Sequence, residues 1–200
     1  MASHCGHKRG HIVRSAIIVH GKPSQKEYYD PKLPSASNYH WIPWLQKQLI
    51  VNDIHAQTPE IPFCYEPKYN LWKKEFERFD LNSDTILVGH SCGGGFLVRW
   101  LSENMVKVGK VILVAPWLDP DREKTSEFFE FTIDQNLASR TQSLVIFNSD
   151  NDMDSIQKSV DIIKNQINSI GYREFHNMGH FTHLDMNTAE FPELLQEIIS

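Results

Sequence analysis

Paired cysteines, an excess of positive charge and a long apolar run are all missing from this chain of 200 residues. Its three cysteines, Cys5, Cys64 and Cys92, are an odd number at spacings that fit no common disulfide or zinc framework, and no Asn-X-Ser/Thr acceptor occurs. A reducing, cytoplasmic setting is the expectation. Lys and Arg number 20 against 25 Asp and Glu, a formal net charge of −5, which leaves no basic field to gather nucleic acid or acidic lipid. The longest apolar run, Val111 to Leu118, has eight residues and contains Pro116, whereas about 20 are needed to span a bilayer. The polar, His-rich stretch 1–12 lacks the apolar segment of a secretory signal and reads as a flexible leader. Its His4, Cys5, His7 and His11 would be too loosely held to form a metal site.

What is present is enough apolar material to fold, 40% hydrophobic and 11% aromatic, and a regular alternation of patterns over a single domain at 13–200. Short β-branched runs at Ser15 to Val19, Asp53 to Gln57, Thr85 to Gly89, Lys110 to Ala115, Ser143 to Asn148 and Tyr172 to His176 read as strands. Most are apolar throughout, as parallel strands covered on both faces require. Trp41 to Ile50, Tyr69 to Phe79, Cys92 to Asn104, Ser155 to Ile167 and Thr188 to Ile199 carry apolar residues at helical spacing. The Trp72, Phe76 and Phe79 stripe reads as a core-facing helix surface. The expected fold class is α/β, a mainly parallel sheet of about six strands with helices on both faces. The long connection from Trp117 to Arg140, with Glu-Phe-Phe-Glu-Phe at 127–131, is expected to form a small lid over the strand ends.

The most informative segment is Gly89-His90-Ser91-Cys92-Gly93, a Gly-X-Ser-X-Gly placed between an apolar strand and a helical pattern. A serine on so tight a strand-to-helix turn leaves no room for side chains two residues before and two after it, hence the two glycines. The turn would push Ser91 Oγ into a cleft and set the Cys92 amide at a helix N-terminus, where it can stabilise negative charge on a substrate oxygen. Cys92 is therefore expected to act through its backbone and His90 to support the turn. The run Gly93-Gly94-Gly95 lacks the Lys-Ser/Thr pair and the spacing of a nucleotide cradle, so close packing is its expected use and no cofactor is expected.

A serine becomes a good nucleophile when an imidazole takes its proton. In sheets of this kind the acid follows a late strand and the base follows the last one. His180, in a Gly-His-Phe turn after the last strand, is the expected base ahead of His183 and His176. Ser149-Asp150-Asn151-Asp152-Met153-Asp154 follows the preceding strand and offers three aspartates, with Asp152 favoured and Asp150 next. Asp150, Asp152, Asp154 and Asp161 also match positions 1, 3, 5 and 12 of a calcium loop, but Ser155 replaces its glycine and Asp161 its final Glu. No metal is expected. The His20-Gly21 turn after the first strand offers the Lys22 amide as a second oxyanion donor, with His20 packing the turn.

The His20-Gly21 turn, Trp41 to Leu49, Pro59 to Pro62, the Gly89 to Gly93 pentapeptide, Val111 to Ala115, Ser149 to Asp152 and Gly179-His180-Phe181 resemble, in order and spacing, the α/β-hydrolase fold. Within it they are similar to the compact serine hydrolases of the retinoblastoma-binding protein 9 and YdeN type. The resemblance implies a compact hydrolase domain with nucleophile Ser91, acid Asp152 and base His180. In such enzymes the prolines that commonly follow the acid fix its loop, and here Met153-Asp154-Ser155 stand instead. The expected activity is metal-independent hydrolysis of small carboxylic esters, with thioesters and activated amides as further substrates. The rival is an interaction protein on a hydrolase scaffold with an idle triad, docking a protein partner through Trp117 to Phe131.

Overall fold

The computed structural model describes residues 14–125 and 127–200; the leader at 1–12 lies outside them. Six strands form one sheet: β1 (Arg14–Val19), β2 (Ile54–Gln57), β3 (Ile86–His90), β4 (Val108–Val114), β5 (Thr141–Ser149) and β6 (Gly171–Phe175). Their order is β2-β1-β3-β4-β5-β6, and every adjacent pair runs parallel. Six helices join them: α1 (Gln25–Tyr29), α2 (Ile42–Val51), α3 (Tyr69–Phe76), α4 (Cys92–Asn104), α5 (Asp154–Gln166) and α6 (Pro192–Ile199). Helix α2 contacts α6, and α3 contacts α4. Right-handed crossovers that leave β1 in one direction and β3 in the other send their helices to opposite faces, so the sheet is covered on both sides. That cover explains why all five residues of β3 and the last four of β1 are buried.

The order reverses between β1 and β3. Chains leaving neighbouring strands in opposite directions open a crevice at the strands' C-terminal ends, which is where open α/β sheets bind ligands. The residues just past β1 and β3 are Gly21 and Lys22 on one side and Ser91 on the other.

The expected strands and most helices appear within a few residues of their anticipated limits. Helix α6 begins at Pro192 rather than Thr188, because proline at the first helical position has its φ preset and no N–H to leave unpaired. Helix α3 stops at Phe76, so Phe79 lies in the turn that follows, half-buried against the core. Helix α1 was not anticipated. It is started by a capping box, in which Ser24 Oγ accepts the Glu27 N–H (3.2 Å) and Glu27 Oε2 accepts the Ser24 N–H (2.7 Å).

The connection after β4 uses its aromatic residues internally. Phe128 is buried among Trp72, Tyr69 and Phe96, with ring centroids 5.2, 6.1 and 6.4 Å away. Arg99 on α4 donates to the carbonyls of Glu127 (2.7 Å) and Phe128 (2.8 Å) while its guanidinium lies over the Tyr69 ring. The four donors around Asp119 (the N–H groups of Glu123, Lys124 and Thr125 and the Thr125 hydroxyl) close the start of this connection. Gly95 admits it, since a Cβ there would strike the Trp117 carbonyl and the Phe129 ring. The segment expected to form a lid is thus packed down against α3 and α4. No helix among the described residues is long and apolar enough to cross a membrane. Phe128→Ala should cost about 3–5 kcal/mol, the usual range for emptying a buried phenylalanine site, measured as a lower urea midpoint with an unchanged m-value.

Candidate active site

Strand β3 is apolar and buried until the chain must turn, and it turns at Ser91. This residue has φ 53° and ψ −120°, a conformation that non-glycine residues seldom adopt. Three backbone bonds hold it: Ser91 N–H to the Val114 carbonyl (2.9 Å), and the Gly95 and Trp117 N–H groups to the Ser91 carbonyl (3.1 and 3.0 Å). The flanking glycines are required by contact. A Cβ on Gly89 would stand 2.7 Å from the Gly93 carbonyl oxygen, and one on Gly93 would strike the carbonyls of Val19 and His20. Cys92 is the first residue of α4, so its N–H has no partner within the helix. Its side chain is buried, and burial raises its thiol well above the ordinary range, keeping it protonated and unreactive.

The turn after β1 lies closely against this elbow: a Cβ at Gly21 would come 3.1 Å from Ser91 Cβ, a tight contact. His20 is buried, and its Nδ1 is 2.7 Å from the Gly21 carbonyl oxygen while its Nε2 accepts the Ile61 N–H (3.1 Å). A carbonyl can only accept, so these partners assign the Nδ1–H tautomer. Fixing the Gly21 carbonyl on His20 turns the N–H of the same trans peptide, that of Lys22, the opposite way. The Lys22 N–H has no hydrogen-bond partner among the described residues.

The three candidate bases separate by partner. His180 Nδ1 lies 2.8 Å from Asp152 Oδ2 and 3.1 Å from Oδ1; the carboxylate is buried and also accepts the Met153 N–H (2.7 Å). His176 pairs instead with Asp150 (2.7 Å) on the open surface, which raises the imidazole, while the Asn177 N–H and then His176 lower the Asp150 carboxyl. His183 Nδ1 faces His40 Nδ1 at 3.2 Å. Of the three, His180 lines the cavity onto which Ser91 opens, a space of about 540 Å³. His90 fixes this loop from beneath, its Nε2 donating to the His180 carbonyl (2.9 Å).

Of the expected site residues, Ser91, Lys22 and His180 line this one cavity, Cys92 follows Ser91 at the start of α4, and Asp152 lies behind His180. What the sequence reading missed is the wall of the cavity. Tyr28, Leu33, Pro34, Tyr39 and His40, from the chain between β1 and α2, form much of it, rather than residues 117–131. The capping box at Ser24 and Glu27 was the legible signal that this stretch is ordered.

Asp154 and Asp161 lie on helix α5, so the calcium-loop spacing does not fall on a loop. His20, Glu60 and Cys64 bring ligand atoms within 4.8 Å of one another. Both His20 nitrogens are already engaged, and burial raises the Cys64 thiol to about 12, a poor donor set for zinc.

Two outcomes follow from these contacts. Gly93→Ala should lose about 1–3 kcal/mol or more by overpacking against fixed backbone, measured by thermal unfolding. His20, His40 and His90 are all lowered by burial, His40 to about 4. Well above about pH 6.5 these imidazoles are neutral whether the chain is folded or not. As pH falls from there toward 4, the unfolded chain takes up protons that the folded one refuses, so stability falls by up to about 1.4 kcal/mol per pH unit for each histidine. His176 works in the opposite sense but is exposed and screened. Urea midpoints at pH 7.5, 6 and 5 should decline, and His40→Gln should make the decline shallower.

Comparison with known proteins agrees with this architecture. The family model described as serine hydrolase matches residues 31–196. The YdeN protein of Bacillus subtilis (strain 168) is 27% identical over 178 residues, covering 85% of this chain and 87% of its own. The crystal structure of the ydeN gene product superposes with a TM-score of 0.74 at 21% identity, over 92% of this chain and 96% of that one. Carboxylesterase CesB (YbfK) from Bacillus subtilis shares the fold more distantly, at a TM-score of 0.59 and 13% identity over 95% and 84% of the two chains. The chain belongs to the serine hydrolase family, as a hydrolase on the α/β-hydrolase fold.

Proposed function

We propose that this enzyme hydrolyses small carboxylic esters, with thioesters and activated amides in reach, through an acyl-enzyme on Ser91. The observation that carries the reading is that Ser91, on its strained turn, and His180, backed by the buried Asp152 carboxylate, open onto one cavity.

In the proposed sequence, Asp152 accepts Nδ1–H of His180, which leaves the Nε2 lone pair free to take the Ser91 proton as Oγ attacks the acyl carbon. The carbonyl electrons move to oxygen, where the Cys92 and Lys22 amides stabilise the charge. Collapse expels the alkoxide, which takes the proton from His180. Water, deprotonated by the same imidazole, then releases the acid and restores Ser91. The apolar side chains of Tyr28, Leu33, Pro34, Tyr39 and Ile42 suit an uncharged acyl group of modest length. A carboxylesterase among the fold neighbours supports the ester as the bond class.

The test is turnover of p-nitrophenyl esters from acetate upward. The rate should peak at short to medium chains, and Ser91→Ala and His180→Ala should each lower kcat by roughly 10³-fold or more, with Asp152→Asn within that order. Full activity in Ser91→Ala would overturn the reading.

A further inference from the structure

Asp152 is the last of four consecutive residues, Ser149-Asp150-Asn151-Asp152, and the three before it have side chains aimed at the same loop. The Asn177 N–H donates to Asp150 Oδ1 (3.0 Å), the Met178 N–H to Ser149 Oγ (2.9 Å) and the Gly179 N–H to Asn151 Oδ1 (2.8 Å). The next residue is His180, whose ring meets Asp152. Three successive backbone donors ahead of the base are thus taken by three successive side chains ahead of the acid.

The loop needs this. Asn177, Gly179 and Phe181 all have positive φ, at 58°, 51° and 54°, so this backbone follows neither a helix nor a sheet ladder, and its N–H groups need side-chain acceptors. Asn151 is the hub of the set. Its Oδ1 accepts from Gly179 and also from the Ser149 hydroxyl (2.8 Å). Because that hydroxyl proton is committed to Asn151, the Ser149 oxygen presents a lone pair to Met178. Asn151 precedes the residue that carries the carboxylate, and Gly179 precedes the residue that carries the imidazole. One hydrogen bond therefore ties the acid loop to the base loop one residue behind the Asp152–His180 contact. On the far side Asp185 Oδ2 accepts the His180 N–H (3.0 Å), and at Gly179 a Cβ would meet Asp185 Cγ at 2.6 Å, so the base loop is held from both sides.

We infer that Asn151 is a positioning residue for the base: it acts through the Gly179 amide to set the distance and angle of His180 toward Ser91, with Ser149 supporting it. The inference rests on the proposed role of His180. A shift of about 1 Å in a reacting group can cost on the order of 100-fold in rate, while the Asn151 side chain is hydrogen-bonded to Ser149 and Gly179 rather than to Asp152 and does not line the cavity.

The experiment compares wild type, Asn151→Ala, Asn151→Asp and Ser91→Ala as full chains on p-nitrophenyl acetate. It is paired with amide hydrogen exchange at Gly179 and thermal unfolding. Asn151→Ala should lower kcat about 10- to 100-fold with KM within about twofold and faster exchange at Gly179. Asn151→Asp keeps the oxygen acceptor and should recover most of the rate. Ser149→Ala should change kcat in the same direction, and it stands in for Asn151→Ala if that variant fails to fold. Unchanged kcat in Asn151→Ala, or equal loss in the alanine and aspartate variants, would overturn the inference. Turnover retained in Ser91→Ala would instead overturn the reading beneath it, and the exchange result at Gly179 would still report whether the two loops are coupled.

Discussion

The structure depends on one backbone constraint, the reversal at Ser91, where a buried strand becomes a helix without an intervening loop. A residue held at positive φ costs on the order of 1–3 kcal/mol and persists only where its surroundings over-determine it. Here the surroundings are specific: the Val114 carbonyl fixes the Ser91 N–H, and the N–H groups of Gly95 and Trp117 share its carbonyl. Gly89 and Gly93 let α4 start against the ends of β1 and β3, and Gly21 lets the β1 turn close on Ser91 itself. Because the sheet order reverses between those two strands, the strained serine stands beside the crevice that the reversal opens.

Histidines supply much of the remaining order, and most of them work without charge. His20 fixes the Gly21 carbonyl and the Ile61 amide, and His90 donates to the His180 carbonyl. Both are buried, so each must stay neutral and satisfy its nitrogens with directional partners. The cost of that arrangement is acid sensitivity, and its benefit is a set of short, directed bonds between the elbow, the β1 turn and the His180 loop. His180 differs in having a carboxylate behind it and the cavity in front.

Much of this was legible because the chemistry constrains the alphabet. Two glycines flank Ser91 because nothing larger fits, and near-continuous Ile, Leu and Val mark strands covered on both faces. The competition among Asp150, Asp152 and Asp154 was not legible, since three aspartates within five residues look alike until the partners are known. Asp150 turns to His176 at the surface, Asp154 opens α5, and Asp152 is buried against His180. The cavity wall was also hidden. It comes from a five-residue helix and a stretch with Pro31 and Pro34 that has no periodicity to read, while the strongly aromatic 127–131 segment, which suggested a lid, packs through Phe128 onto α3 and α4. Aromatic content shows that a segment will be buried; it does not say against what.

The central claim is that the strained turn and the Asp152–His180 pair together make Ser91 an activated nucleophile. The most direct measurement is treatment of the purified protein with a fluorophosphonate, followed by peptide mass spectrometry. The account predicts one adduct per chain, on Ser91, formed rapidly in wild type and lost in His180→Ala even though Ser91 is still present. Folded wild-type protein that stays unlabelled, or labelling that proceeds equally well without His180, would contradict it.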